Sequence, residues 1–118
     1  MPKRIDGDTM TDAEQKAALD AAMFRSEAEF QGWLKLRADE FGWLYQHNGD
    51  SRRSDPGFPD TVLVRDGRLI FAELKTEKKT SKVTSGQLKW LDELGAVAHV
   101  EAYLWRPRDI DRILETLI

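Results

Sequence analysis

The stretch "GFPDTVLVRDGRLIFAELK", residues 57–75, is the most strand-like part of this 118-residue chain. Apolar and β-branched residues dominate it on both sides of Asp66-Gly67, a strong signal for a two-residue hairpin turn because both turn positions need positive φ. The stretch therefore predicts two antiparallel strands, Phe58–Arg65 and Arg68–Lys75.

This hairpin places ionisable side chains together. A two-residue turn at Asp66-Gly67 sets Asp60 directly opposite Glu73, with Cβ atoms ~5 Å apart on one face. Lys75 shares that face because side chains alternate with period two. Facing carboxylates repel each other unless a cation neutralises them, and Mg²⁺ commonly binds one or two carboxylates together with water and substrate phosphate. The pattern favours a metal site at which Lys75 assists hydroxide attack on a phosphodiester.

A structural alternative exists for the same residues. Asp60 could cap the strand start after Pro59, while Glu73 and Lys75 could be solvated on an edge strand. Apolar residues on both faces of the hairpin argue against an edge position and predict central strands covered on each side. These residues are Val62, Val64 and Phe71 on one face and Leu63, Ile70 and Leu74 on the other.

Capping boxes and turn residues predict the elements around the hairpin. Thr11-x-x-Glu14 opens a short helix to about Met23, and residues 1–24 are expected to form a tail with this helix, ahead of a single domain at residues 25–118. Within that domain the predicted order is a helix from the Ser26-x-x-Glu29 box to near Gly42, a strand at Trp43–His47, a loop at Asn48–Gly57, the hairpin, a helix from the Thr84-x-x-Gln87 box to Gly95, a strand at Val97–Trp105 and a helix at Asp109–Ile118.

Composition narrows the classes of function. Hydrophobic residues make up 41% and charged residues 33%, as in soluble globular proteins. No apolar run approaches the ~20 residues that span a bilayer, and the polar start lacks a signal peptide, which predicts a cytoplasmic protein without a membrane partner. With no cysteine and two histidines, any metal site must be oxygen-rich. The net charge of -3 argues against coating nucleic acid by bulk charge, yet residues 65–89 carry seven basic and three acidic residues.

The motif residues carry a resemblance to a known family. Pro59-Asp60 followed by Glu73-Leu74-Lys75 resembles the PD-(D/E)XK nuclease superfamily. The ordered set of an upstream helical Glu, GFPD, a hairpin, ELK, a basic loop and Gln87 is similar to the VRR-NUC family over roughly residues 26–106. Stand-alone members of that family are small phage nucleases, and fused members belong to DNA-repair enzymes.

The resemblance implies a fold and a set of ligands. The fold is an α/β, restriction-endonuclease-like one, with a central mixed sheet flanked by helices and the core order α-β-β-β-α-β. Asp60, Glu73 and the main-chain carbonyl of Leu74 are expected to bind the metal, and Lys75 to assist the attacking water. The metal is expected to be Mg²⁺, with Mn²⁺ as a substitute.

Two further site residues follow from the resemblance, each beside an alternative. The upstream acid lies four residues before a Gln in this family, so Glu27 is preferred as a catalytic residue and metal ligand; Glu29 is the competitor, although it has a structural role in the capping box. Gln87 is expected to be the motif glutamine, and it equally completes the Thr84 capping box.

The resemblance also implies a function, with alternatives. We expect a Mg²⁺-dependent DNA endonuclease, structure-selective and Holliday-junction-resolvase-like, which acts as a homodimer of phage origin in the host cytoplasm and binds DNA, including branched DNA. A catalytically inactive nucleic-acid-binding module and an interaction domain that binds no nucleic acid are the alternatives. Loop residues near the predicted site are the candidate phosphate contacts: Arg52, Arg53, Lys78, Lys79 and Lys82.

Overall fold

A computed structural model describes residues 11–15, 24–48 and 56–118. Its elements are α1 (Glu27–Glu40), β1 (Leu44–His47), β2 (Thr61–Arg65), β3 (Arg68–Leu74), α2 (Ser85–Gly95), β4 (Val100–Trp105), a 3-10 turn (Pro107–Asp109) and α3 (Ile110–Leu117). Residues 12–15 are helical, and the rest of the helix predicted up to Met23 lies outside the described residues. Within the described ranges no helix has both the length and the apolar character to cross a membrane.

The hairpin has the predicted register. Thr61 pairs with Ala72 and Arg65 with Arg68, so the same register continued by one residue brings Asp60 opposite Glu73. Both turn residues have positive φ, 49° at Asp66 and 80° at Gly67. Both strands are shorter than predicted, because β2 starts at Thr61 and β3 ends at Leu74. The late start of β2 follows from Pro59, which has no N–H to donate to the ladder.

The four strands form one mixed sheet in the order β1-β2-β3-β4. β1 and β3 each run antiparallel to β2, whereas β4 is parallel to β3. The parallel pair requires a crossover, and α2 supplies it. This arrangement confirms the predicted α/β fold class and the core order α-β-β-β-α-β.

The main core lies between one sheet face and the pair α1 and α3. Leu63, Ile70 and Leu74 point to this face and are fully buried. They belong to one cluster with residues of the two helices and of β4: Phe30, Leu34 and Ala38 of α1, Ile113 and Leu117 of α3, and Trp105. This packing fixes the start of α1 near the first residue of β2 and the last residues of β3.

The other sheet face is covered only in part. Of the described helices, α2 packs on β3 and β4, where an added Cβ at Gly95 would lie 3.6 Å from the Ala102 side chain. Over β1 and β2 the cover is thinner, because Leu44 is 73% and Val64 38% exposed. The prediction of hairpin strands covered on each side therefore holds for β3 and is wrong for β2, whose Val64 is exposed.

Candidate active site

Three carboxylates from separate elements meet at one end of the sheet. Glu27 lies in the first turn of α1, Asp60 directly precedes β2, and Glu73 is the penultimate residue of β3. One carboxylate oxygen from each residue lies within 4.8 Å of the others. We call these three residues the acid cluster.

A buried glutamine brings α1 to this end of the sheet. The Gln31 side-chain amide donates to the Thr61 hydroxyl at 2.7 Å and to the Tyr45 hydroxyl at 2.6 Å. Thr61 directly follows Asp60, and Gln31 lies one helical turn after Glu27 on the same side of α1. The contact between Gln31 and Thr61 therefore fixes Glu27 beside Asp60.

The neighbouring acid Glu29 belongs to the N-terminal cap of α1. Ser26 is the N-cap of α1 and accepts a hydrogen bond from the Glu29 backbone at 3.1 Å, while the Glu29 carboxylate accepts from the Arg25 backbone at 2.8 Å. Glu29 thus stabilises the start of the helix, and it is Glu27 that lies in the acid cluster.

Glu73 is the most constrained member of the cluster. Its side chain is 1% exposed, and its Oε1 atom has no hydrogen-bond partner among the described residues. Burial, followed by the adjacent Asp60 carboxyl, raises the pKa of Glu73 to about 9, with a smaller contribution from Glu27 and an opposing one from Lys75. A buried oxygen without a donor is costly unless a ligand compensates it.

Lys75 lies beside Glu73, with 3.9 Å between its Nζ atom and Glu73 Oε2. Its side chain is almost buried, and its backbone N–H donates to the Trp105 carbonyl at 3.0 Å, which continues the pairing with β4. Among the described residues, Lys75 is the only cation that forms an ion pair with the acid cluster, and the pair that it forms is with Glu73.

Gln87 makes both of the contacts considered for it. Its side-chain oxygen accepts from the Thr84 backbone at 2.8 Å, which completes the capping box of α2. Its amide nitrogen donates to Glu73 Oε2 at 3.2 Å. The two roles are compatible because the amide group has a separate acceptor and donor.

The remaining predicted residues lie around the cluster or outside the described ranges. Leu74, whose carbonyl is a predicted ligand, ends β3 between Glu73 and Lys75. The exposed residues Lys78, Lys79 and Lys82 lie on the loop between β3 and α2. Arg52 and Arg53 fall outside the residues that the structure describes.

Two residues next to the cluster were not anticipated from the sequence. The Ser81 hydroxyl accepts from the Thr76 backbone at 2.8 Å and lies 3.5 Å from Glu27 Oε2, to which it donates. Arg106, directly after β4, donates to the Thr76 and Ser81 carbonyl oxygens. No motif marks Arg106, because its carbonyl acceptors are available at every position of a chain, and none marks Ser81, whose carboxylate partner is 54 residues away.

The donor set of the acid cluster fits a hard divalent cation. Mg²⁺ prefers oxygen ligands and commonly takes one or two carboxylates. The cluster supplies carboxylate oxygens only, and the unpartnered Glu73 Oε1 is a buried acceptor that a cation would satisfy. Glu27, Asp60 and Glu73 can therefore hold such an ion.

Comparison with known proteins identifies the fold. No protein-family model matches the chain, and no curated protein matches its sequence. Among solved structures, one described as a VRR_NUC domain is similar with a TM-score of 0.59 and 22% sequence identity, covering 75% of this chain and 94% of that one. The chain thus has the fold of a VRR_NUC domain, a restriction-endonuclease-like α/β fold. The resemblance inferred from the sequence is confirmed at the level of the fold.

Proposed function

We propose that this protein is a metal-dependent nuclease that hydrolyses phosphodiester bonds of DNA. The observation that carries the proposal is the convergence of Glu27, Asp60 and Glu73 beside Lys75, on a fold shared with a VRR_NUC domain. These three acids and the Leu74 carbonyl are the proposed metal ligands. Mg²⁺ is the proposed ion, and Mn²⁺ should substitute for it because both favour oxygen ligands.

Each side chain has a proposed part in hydrolysis. When bound, the ion would supply the positive charge that polarises a phosphoryl oxygen. Lys75 orients the attacking water and stabilises negative charge that develops on its oxygen. Gln87 holds the Glu73 carboxylate through its amide nitrogen. Water loses one proton to solvent as its oxygen bonds to phosphorus, the bond from phosphorus to one sugar oxygen breaks, and that oxygen takes up a proton from solvent.

The finer parts of the proposal concern substrate and assembly. Residues 25–118 form the proposed nuclease domain, and Lys78, Lys79, Lys82, Arg52 and Arg53 its proposed phosphate contacts. The described residues contain one acid cluster, so a symmetric cut in both strands requires two copies of the chain. From the family resemblance we propose a homodimer of phage origin that selects branched DNA, similar to a Holliday-junction resolvase, and two-fold assembly is consistent with two cuts.

A cleavage assay tests the proposal. Labelled linear, flap and four-way DNA is incubated with the protein and Mg²⁺, Mn²⁺ or a chelator, beside the variants Lys75→Ala and Lys35→Ala. Lys35 is an exposed lysine paired with Asp39 and serves as the control. We expect metal-dependent cutting that Lys75→Ala abolishes and Lys35→Ala retains, with both variants folded by circular dichroism.

Three outcomes would contradict the proposal. Equal cutting by Lys75→Ala would assign the activity to a different centre. DNA binding without metal-dependent cutting would favour the inactive nucleic-acid-binding module. Absence of both cutting and salt-sensitive DNA binding would favour an interaction domain with another partner.

A further inference from the structure

A polar pocket adjoins the acid cluster on the side of α1. It has a volume of about 250 Å³, and its lining includes Arg25, Ser26, Glu27, Thr76, Lys78 and Ser81. Pockets that enclose a whole small molecule usually measure ~300–1,000 Å³. The smaller volume suits a compact group such as a phosphate.

The chemistry of the lining is complementary to an anion that accepts hydrogen bonds. Two lining residues, Arg25 and Lys78, are cationic and one, Glu27, is acidic, and none of the described lining residues is apolar. Guanidinium and ammonium groups are the main phosphate contacts in nucleic-acid complexes, whereas bases require apolar or aromatic surfaces for stacking. The pocket therefore fits the backbone of a nucleic-acid strand better than a base.

The donors of this pocket are available to a ligand. Neither Arg25 nor Lys78 forms an ion pair within the described part of the chain, and both are exposed. The Ser26 hydroxyl accepts from the Glu29 backbone at 3.1 Å and the Thr76 hydroxyl accepts from the Lys78 backbone at 3.3 Å. Each hydroxyl keeps its own O–H to donate to a phosphate oxygen.

The loop that forms one wall is held in place before any ligand binds. Arg106 donates to the Thr76 carbonyl at one side of the loop and to the Ser81 carbonyl, at 3.0 Å, at the other. The Ser81 hydroxyl closes the same loop by accepting from the Thr76 backbone at 2.8 Å. A wall fixed in this way loses little conformational freedom on binding, which favours affinity.

Glu27 is common to the pocket and the acid cluster. A group in the pocket therefore borders a phosphodiester placed at the cluster. We propose that this pocket binds the phosphate of the nucleotide that flanks the bond to be cut, through Arg25 and Lys78. The inference rests on the proposed nuclease function and adds to it a second anchoring point for the substrate strand.

Neutral-phosphate substrates test this inference. DNA duplexes carry a single methylphosphonate at successive positions around the mapped cut, and KM and kcat are measured for the wild type and for the double variant Arg25→Gln, Lys78→Gln. We expect one neutralised position to raise the wild-type KM about tenfold with a smaller change in kcat, as a lost charged hydrogen bond predicts. In the double variant KM is already raised with unmodified DNA, and neutralisation at that position should add less than about twofold, since the same contact cannot be lost twice.

Lys35→Gln is the matched control. Lys35 is an exposed lysine of α1 and is absent from the described lining of the pocket. This variant should keep the tenfold penalty at the critical position. Substrates that end at this position, with and without a terminal phosphate, distinguish an internal diester from a terminal monophosphate.

The outcomes separate this inference from the function on which it rests. An unchanged penalty in the double variant, or an equal response at every neutralised position, overturns the phosphate pocket while leaving metal-dependent cutting intact. If the wild type cuts no DNA, no cut can be mapped and the proposed function fails. The pocket is then judged by the Kd, in Ca²⁺, for a short duplex with all of its phosphates charged or with those of one strand neutralised. A smaller loss of affinity on neutralisation in the double variant than in the wild type supports the pocket, and an equal loss overturns it.

Discussion

The two ends of the sheet differ in how far their charged side chains are paired within the chain. At the end with the Asp66-Gly67 turn, which we call the turn end, the charged groups find partners within the chain. Arg68 makes two hydrogen bonds to the Glu101 carboxylate, at 2.9 and 2.7 Å, and a third to the Thr116 carbonyl at 2.9 Å. Arg65 likewise donates to the Leu117 carbonyl at 2.7 Å, while its buried Nε has no hydrogen bond and lies 3.4 Å from the Asp66 carboxylate. The arginines also satisfy carbonyl groups at the end of α3, which a helix leaves without internal partners.

At the other end, the acid cluster is left incomplete. Glu27, Asp60 and Glu73 converge, the one ion pair recorded for them among the described residues joins Lys75 to Glu73, and one buried oxygen of Glu73 has no hydrogen-bond partner there. Local rules of charge pairing are usually obeyed in proteins and are broken at functional sites. We therefore interpret the charges of the turn end as structural and propose that those of the acid cluster bind a ligand.

The two ends should differ most in how a Glu→Gln substitution changes the rate of DNA cleavage. Glu73→Gln removes one proposed ligand charge and should lower cleavage on the order of 10³-fold, because charge stabilisation by a metal is worth several kcal/mol. The same change should raise the free energy of unfolding of the metal-free protein by ~1–3 kcal/mol, since it removes a costly buried carboxyl. Cleavage rates and urea unfolding measure the two effects.

The matched change at the turn end is Glu101→Gln. It should keep cleavage near the wild-type rate and lower stability, because it removes a partner of Arg68. If both variants lowered stability, the acid cluster would be an ordinary ion-pair network and the contrast between the two ends would be lost.

Glycines at the two ends give a second contrast, in stability. Gly57 has φ of +92°, and an added Cβ would lie 2.6 Å from the Gly86 carbonyl carbon, whereas Gly67 has φ of +80° and nothing within 4 Å. Gly67→Ala should cost ~1–2 kcal/mol from backbone strain alone. Gly57→Ala adds a clash with the start of α2 and should cost at least ~3 kcal/mol.

Thermal unfolding of both alanine variants measures this difference. Gly57→Ala should also lower cleavage, because it displaces the segment that leads to Asp60 from the helix that carries Gln87. Equal stability of the two variants would show that the contact between Gly57 and Gly86 is not tight in solution.

A divalent cation should bind at the acid cluster and not at the turn end, and its binding should stabilise the folded protein. At a concentration 100 times its Kd, Mn²⁺ or Mg²⁺ should add about 2.7 kcal/mol to the free energy of unfolding and raise Tm by roughly 10 °C. Arg68→Met, at the turn end, should keep this increase, whereas Glu73→Gln should lose most of it. An increase that survives in Glu73→Gln would place the ion elsewhere.

The hairpin and the start of α2 were predictable from the sequence because local chemistry determines them. Asp66-Gly67 fixes the turn type, the turn fixes the register, and the register sets Asp60 opposite Glu73. The capping box of α2 likewise depends on residues three apart, Thr84 and Gln87.

The rest of the site depends on contacts between distant parts of the chain. Glu27 reaches the cluster through the contact of Gln31 with Thr61, thirty residues away, and the sequence indicated it only through a family resemblance. Arg106 binds carbonyl groups, which carry no sequence signal. The open face of β1 and β2 depends on where the crossover helix α2 lies, and hydrophobic alternation within the strands does not determine that.

The smallest expected effect is a pH-dependent change in stability, caused by Glu101 at the turn end. The hydrogen bonds from Arg68 lower the pKa of Glu101 below its usual value. Partial burial opposes this shift, and the hydrogen bond from Tyr103 adds to it. The Glu101 carboxylate therefore stabilises the fold above the pKa of the unfolded chain, and this contribution is lost as pH falls through the lower pKa of the folded state. The Arg68 side chain is 36% exposed, so solvent screens the pair and its worth is about 1 kcal/mol or less.

Urea unfolding of wild type and Glu101→Gln at several pH values measures this contribution as a difference. The variant should be less stable than the wild type near pH 7, and the two should converge at acid pH, where Glu101 is protonated. Partial burial raises the pKa of Glu77, but its contacts with Arg108 outweigh this and lower the pKa. Because Glu77 is present in both proteins, its contribution to the stability cancels in the difference. A gap that stayed constant down to low pH would mean that Glu101 stabilises the turn end by packing and that its charge is not needed there.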